Sequence, residues 1–129
     1  MSAWTADLAT GHPELDRDHR ELMELIEQLR EAAAAGDAKA RLSHALDRFR
    51  EHVQRHFPEE ERDMEAAAYP ALARHREAHR ALTAMVSELA VKDAGGDTVL
   101  YSEVEQLAQA LQRHIVLDDR AYAAHRRGR

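Results

Sequence analysis

The chain has 129 residues, of which 44% are hydrophobic, 33% charged and 5% aromatic, and its formal net charge is −6. This length and composition are typical of one globular domain rich in helix, so we expect a single domain over residues 1–129. The negative charge argues against a nucleic-acid partner, and the lack of cysteine excludes disulfides, iron–sulfur clusters and thiolate zinc sites. No signal peptide or membrane-spanning apolar run is recognisable, so we expect a cytoplasmic protein with no membrane partner.

Helix-stopping and helix-capping residues divide the first half of the chain into two long segments. The first segment is predicted to form a helix over about 14–35 and to stop at Gly36. Asp37 is suited to cap a second helix over about 38–67. The residues before the first helix are expected to form a short N-terminal arm, with Trp4 packed on the rest of the domain.

Two further helices are predicted in the second half. Pro70 is suited to the first position of a third helix over about 70–93, because a residue there needs no backbone N–H. Asp97 or Thr98 is suited to cap a fourth helix over about 98–124. Short loops between long helices favour antiparallel neighbours, so the predicted fold is all-α, an antiparallel up-down-up-down four-helix bundle.

Ionisable residues interrupt the apolar stripe of every predicted helix. Each stripe follows the heptad positions that normally face the core of a bundle, and the fourth begins at Leu100. The interrupting residues are His19 in the first helix, His56 and Glu60 in the second, His75 and His79 in the third, and His114 and Asp118 in the fourth. Because neighbouring helices run in opposite directions, we expect these side chains to meet at one level of the bundle.

A cluster of five histidines and two carboxylates is costly to bury without a compensating ion. Each unpaired polar group costs roughly 1–3 kcal/mol, so seven would offset most of a typical stability of about 5–15 kcal/mol. A metal supplies the charge that the carboxylates need and accepts the imidazole lone pairs. Seven ligands are too many for one zinc but suit two metal ions bridged by carboxylates. Ligand type alone leaves iron, manganese, zinc and copper open.

The order and spacing of five short motifs resemble those of the hemerythrin family, particularly its single-domain bacterial members. After Trp4 come Gly11 and the element LDRDH at 15–19, followed by HFPEEERDM at 56–64 and the Tyr69–Pro70 pair. HREAH at 75–79 and HIVLDD at 114–119 complete the series. The resemblance covers nearly the whole chain.

The resemblance implies a non-haem diiron centre that binds O2. On this basis one iron takes His75, His79 and His114, and the other takes His19 and His56. Glu60 and Asp119 then bridge the two irons together with an oxo or hydroxo group. The second iron has an open coordination position at which O2 binds.

Helical periodicity and the resemblance disagree about the last ligand. A regular helix of about 3.6 residues per turn places Asp118, not Asp119, on the same face as His114. The family spacing favours Asp119, which requires a local widening or bulge of the fourth helix, and such bulges cluster at functional sites. We expect Asp119 to be the ligand and Asp118 to be solvated.

Other residues near the cluster have simpler expected roles. A kink is expected at Pro58, which cannot donate a backbone hydrogen bond to Gln54. Glu61 belongs to an acidic, solvated face, or instead holds a ligand histidine from behind. Four histidines that lie off the stripes or near the ends are expected at the surface: His12, His44, His52 and His125.

Two classes of use remain open for such a centre from the sequence. The leading hypothesis is reversible O2 binding without catalysis, for oxygen storage, delivery or sensing, with an unidentified protein partner receiving the oxygen. The alternative is a diiron enzyme that reduces peroxide or nitric oxide. No independent acid and base pair is recognisable, which favours binding over catalysis.

Overall fold

The computed structural model describes residues 9–35 and 39–128, which form an all-α four-helix bundle as predicted. Helix α1 spans Pro13–Ala35, α2 spans Lys39–Ala66 and α3 spans Leu72–Ala94. The fourth helix of the bundle consists of α4 (Tyr101–His114), a π-helical turn (Ile115–Asp119) and α5 (Arg120–Arg127). None of the helices in the described ranges has the length and apolar character that a membrane span requires.

Each helix packs on the next one along the chain, and α4 returns to pack on α1. The larger apolar cluster fills the end of the bundle where α3 turns into α4, and includes Leu29, Leu46 and Leu89. A smaller cluster around Met64 and Tyr122 closes the opposite end. Between these two clusters lies the level at which ionisable side chains are buried.

The start of α1 is tied to the residues that precede it. Asp16 accepts hydrogen bonds from the Thr10 backbone N–H at 2.8 Å and from the Thr10 hydroxyl at 2.7 Å. Gly11 follows with φ +89°, a backbone conformation that residues with a Cβ rarely adopt. The Arg127 guanidinium donates to the Thr10 carbonyl at 2.6 Å, which joins this segment to the C-terminal end of the bundle.

The beginnings of the third and fourth helices differ from the prediction. Pro70 lies in the turn before α3, which begins at Leu72. Helix α4 begins at Tyr101 rather than after Asp97 or Thr98. Its first turn is held by Glu103, whose carboxylate accepts a hydrogen bond from the Leu100 backbone N–H at 2.9 Å.

The prediction that Leu100 heads an inward stripe is wrong. Its position before the first turn of α4 leaves it 52% exposed, whereas Val99 is buried in its place at 5%. Periodicity applies only within the helix, and Leu100 precedes it. Three other predicted features lie outside the described residues: Trp4 in the N-terminal arm, the stop at Gly36 and the cap at Asp37.

Candidate metal centre

Five histidines and two carboxylates meet inside the bundle, and each is at most 5% exposed. They are contributed by all four helices of the bundle: His19, His56, Glu60, His75, His79, His114 and Asp119. These are the seven residues predicted as ligands. They reach one level because early positions of α1 and α3 lie beside late positions of α2 and α4.

The π-helical turn explains how Asp119 faces the cluster. The backbone N–H of Arg120 donates to the Ile115 carbonyl, an i→i+5 bond that widens the helix by one residue. Asp119 is thereby 1% exposed and lies on the same side as His114. The predicted bulge is confirmed, and it places Asp119 rather than Asp118 among the clustered side chains.

One oxygen of each carboxylate faces the side of the cluster formed by His75, His79 and His114. Glu60 Oε1 lies 2.7 Å from His75 Nε2 and 3.1 Å from His79 Nε2. Asp119 Oδ1 lies 2.9 Å from His75 Nε2 and 3.2 Å from His114 Nε2. These five side chains form a compact donor set that can hold one cation.

The other oxygen of each carboxylate faces the remaining two histidines. Glu60 Oε2 lies 3.3 Å from His56 Nε2 and 3.8 Å from His19 Nε2. Asp119 Oδ2 lies 2.9 Å from His19 Nε2. Both carboxylates therefore extend between a three-histidine side and a two-histidine side, which is the arrangement that two bridged cations require.

Three further carboxylates lie outside the cluster, each against the outer nitrogen of one of its histidines. Glu61 Oε2 is 2.7 Å from His79 Nδ1, and Asp118 Oδ2 is 2.8 Å from His114 Nδ1. Asp18 Oδ2 is 3.4 Å from His56 Nδ1. Such contacts fix a ring's orientation and leave its Nε2 atom for the metal.

The contact between Asp118 and His114 corrects the expectation that Asp118 is simply solvated. Its side chain is 38% exposed, yet one oxygen holds His114 from outside the cluster. Helical periodicity correctly placed Asp118 near His114, because residues i and i+4 are neighbours on a helix. The sequence did not reveal that it approaches the outer nitrogen.

The electrostatics of the cluster keep the carboxylates ionised despite burial. Burial raises the pKa of Glu60, but the close approach of His19, His56, His75 and His79 outweighs it and holds that pKa well below its usual value. The pKa of Asp119 is lowered as well. Burial and the negative charge of Glu60 raise it, but the neighbouring histidines outweigh both. Two negative charges therefore remain inside the bundle.

The histidines respond in the opposite direction. Burial lowers the pKa of His19, but Asp119 and Glu60 outweigh it and raise the pKa to about 9. The pKa of His56 rises to about 10 against burial, because of Asp18 and Glu60. In the metal-free protein these rings hold protons, which a bound cation would displace.

The inward atoms of the cluster fit metal ions. Within the described residues, several have no hydrogen-bond partner: His19 Nε2, His79 Nε2, His114 Nε2, Glu60 Oε2 and Asp119 Oδ1. The oxygens offer lone pairs to a cation, and each nitrogen does so once its ring is neutral, which removes a cost of roughly 1–3 kcal/mol per group. Imidazole and carboxylate without sulfur suit first-row metals such as iron, manganese or zinc.

Aromatic and apolar side chains enclose the three-histidine side. The Phe57 ring stacks on the His79 ring with parallel planes and centroids 4.0 Å apart. Its centroid lies 6.2 Å from that of His114. Phe57 is itself buried in the larger apolar cluster. This contact restricts the rotation of His79 and keeps solvent from that side of the site.

One histidine was wrongly predicted at the surface. His52 is 5% exposed, and its ring stacks on that of His56 with centroids 5.7 Å apart. It lies one helical turn before His56, so it shares the same face of α2, and that spacing was the signal to use. His44 is exposed as predicted, whereas His12 and His125 are partly buried.

Comparison with known proteins agrees with this geometry. The family model described as "Hemerythrin HHE cation binding domain" matches residues 10–125. The chain is 30% identical to the bacteriohemerythrin of Stenotrophomonas maltophilia over 123 residues, which are 95% of this chain and 80% of that protein. It is 32% identical to the bacteriohemerythrin of Ralstonia nicotianae, over 91% of this chain and 82% of the relative.

Solved structures have the same fold. The crystal structure of wild-type hemerythrin superposes with a TM-score of 0.88 and 25% sequence identity, over 96% of both chains. A single-residue mutant of hemerythrin gives a TM-score of 0.88 at 24% identity, over 97% of this chain and 98% of that one.

Proposed function

Since the chain belongs to the hemerythrin family, we propose that it binds O2 reversibly at a non-haem diiron centre. Three side chains, His75, His79 and His114, hold one iron. Two others, His19 and His56, hold the second. The carboxylates of Glu60 and Asp119 would each supply one oxygen to either iron.

The division of the carboxylate oxygens carries this proposal. Oε1 of Glu60 and Oδ1 of Asp119 lie within 3.2 Å of histidines on one side. Oε2 and Oδ2 lie within 3.8 Å of histidines on the other. A single cation would use one side and leave the other side's nitrogens and oxygens unpaired.

The two sides differ in the number of protein donors, which suggests where O2 binds. The three-histidine side offers three nitrogens and two oxygens, whereas the other side offers two of each. The second side therefore retains room for an exogenous ligand. When bound, the iron pair supplies the two electrons that O2 takes up on binding.

Binding rather than catalysis is the use that fits the family. Hemerythrins are oxygen-binding proteins and not enzymes. The outer carboxylates Glu61 and Asp118 are both engaged with ligand histidines, so they orient rings rather than serve as free proton donors. We propose oxygen storage or delivery as the role, with a separate protein receiving the oxygen.

Metal analysis and the visible spectrum test the proposal together. Protein purified in air should contain two irons per chain and show an oxo-to-iron charge-transfer band. After reduction without oxygen the band should disappear, and on return to O2 an oxygenated spectrum should form and be removable by evacuation. Zinc alone, one metal per chain, or a spectrum that does not respond to O2 would contradict it.

A further inference from the structure

A cavity of about 200 Å³ lies against the two-histidine side of the centre. Two members of the centre, His56 and Glu60, form part of its wall. Four further carboxylates line it, and we refer to them as the acidic inlet: Glu14, Asp18, Glu59 and Asp63. The three histidines of the other side do not line this cavity within the described residues.

The carboxylates of the inlet extend from solvent to the buried centre. Glu14 and Glu59 are exposed, so the cavity reaches the surface. Asp18 is intermediate, with a side chain 40% exposed and an oxygen 3.4 Å from His56 Nδ1. At the inner end Glu60 is 5% exposed, and its Oε2 atom has no hydrogen-bond partner among the described residues.

The charge of the inlet is suited to a cation. Arg126 on its rim donates to Asp63 at 2.9 Å, so that pair is largely neutral. Asp18 faces His56, whose ring holds a proton in the metal-free protein, so it is Glu14 and Glu59 that leave the inlet negative. A second cavity, of about 290 Å³, is lined by both glutamates and two arginines, Arg48 and Arg55. No member of the centre forms part of its wall.

We propose that the acidic inlet is the route by which Fe²⁺ reaches the centre from solvent. This inference rests on the proposed metal site and adds a role for residues outside it. Glu59 attracts the hydrated cation at the surface, and Asp18, which is half-buried and contacts His56, receives it next on the way to Glu60. The ion enters on the two-histidine side, and the first ion moves on to the richer three-histidine side.

The rate of metal uptake by the metal-free protein tests the route without using oxygen binding. Co²⁺ replaces Fe²⁺ as the probe because its visible absorption reports coordination, and mixing is followed by stopped flow. Glu59→Gln should slow uptake roughly two- to fivefold at low salt, the size expected for one charge acting on a divalent ion across roughly 10–20 Å of water. The difference should shrink as ionic strength rises.

Glu51→Gln is the matched control. Glu51 is an exposed glutamate on the same helix, lines the second cavity, and loses the same charge on substitution. Its uptake rate should stay near that of the unchanged protein. Glu59→Lys should slow uptake further than Glu59→Gln. The final amount of bound metal should remain two ions per chain in all three variants.

The outcomes separate this inference from the proposed function. Equal rates for Glu59→Gln and Glu51→Gln would overturn the inlet while leaving the metal site intact. A lower final amount of bound metal in Glu59→Gln would also overturn it, because Glu59 would then be part of the site. If the unchanged protein takes up no metal, it is the proposed function that fails.

Discussion

Among single residues, Asp118 and Asp119 are adjacent in sequence but occupy different positions around His114. Asp119 faces its inner nitrogen from within the cluster, and Asp118 contacts its outer nitrogen at 2.8 Å. We predict that Asp119→Asn reduces metal content to one ion or fewer per chain, because a neutral amide is a poor bridging ligand.

Asp118→Asn should keep two ions but lower the affinity for them about 10- to 100-fold, as is typical when the group orienting a ligand histidine is lost. Helical content should be unchanged in both variants, because Asn and Asp have similar helix propensities. Elemental analysis measures the metal content, and competition with a chelator measures the metal affinity. Loss of metal from Asp118→Asn with full retention in Asp119→Asn would refute the assignment.

At the scale of the helical element, α2 continues from Lys39 to Ala66 through Pro58. Proline in a helix interior is about 3 kcal/mol less favourable than alanine, although its smaller unfolded-state entropy offsets about 0.4–1 kcal/mol of this. The buried neighbours His56, Phe57 and Glu60 show that tertiary packing holds the helix despite that cost.

We therefore predict that Pro58→Ala stabilises the metal-free protein by about 2 kcal/mol. The side chain is exposed, so no cavity forms in the core. Urea unfolding of metal-free protein and variant gives the difference, and the metal content of the loaded variant shows whether the ligands still converge. A variant less stable than the parent would mean that the proline fixes a bend on which the bundle depends.

At the scale of the whole molecule, the metal centre lies between two unequal apolar clusters. The larger one, with Ile26, Leu46 and Val86, needs no ion. Among the described residues, the smaller one beyond the centre includes only a few, such as Met64 and Tyr122. We predict that removing the metal lowers Tm by roughly 10–20 °C, because a tightly bound ion contributes about 4 kcal/mol at a thousandfold excess over its Kd.

Hydrogen exchange should resolve where this stability is lost. Amides of α2 and α3 near Leu46 and Val86 should stay protected after metal removal, whereas those near His75 and His114 should exchange faster. Uniform loss of protection, or identical melting of the metal-free and loaded forms, would mean that the metal does not support one half of the bundle preferentially.

The pH dependence of stability should differ between the metal-free and loaded protein. The folded-state pKa values of His19, His56 and His75, about 9, 10 and 9, lie above the unfolded value of about 6.5. Their contribution to metal-free stability is thus complete below about pH 6.5 and lost as pH rises through 9 to 10.

Metal binding, in contrast, requires these rings to be deprotonated. We predict that the difference in Tm between the loaded and metal-free forms grows from pH 6 to pH 9, measured with Co²⁺. A difference that is constant or falls over this interval would show that the histidines are neutral in the metal-free protein.

The sequence by itself determined the helices, the bundle and the histidines that converge in it. This was possible because heptad spacing and antiparallel order are local and repetitive, so His19, His56, His75 and His114 necessarily reach one level. The widened turn at Asp119 was expected from the family spacing, although not from helical periodicity. Tertiary structure decided the rest: the outer contacts of Asp18 and Asp118, and the burial of His52. These depend on how each helix is rotated against its neighbours, and spacing along one helix does not specify that rotation.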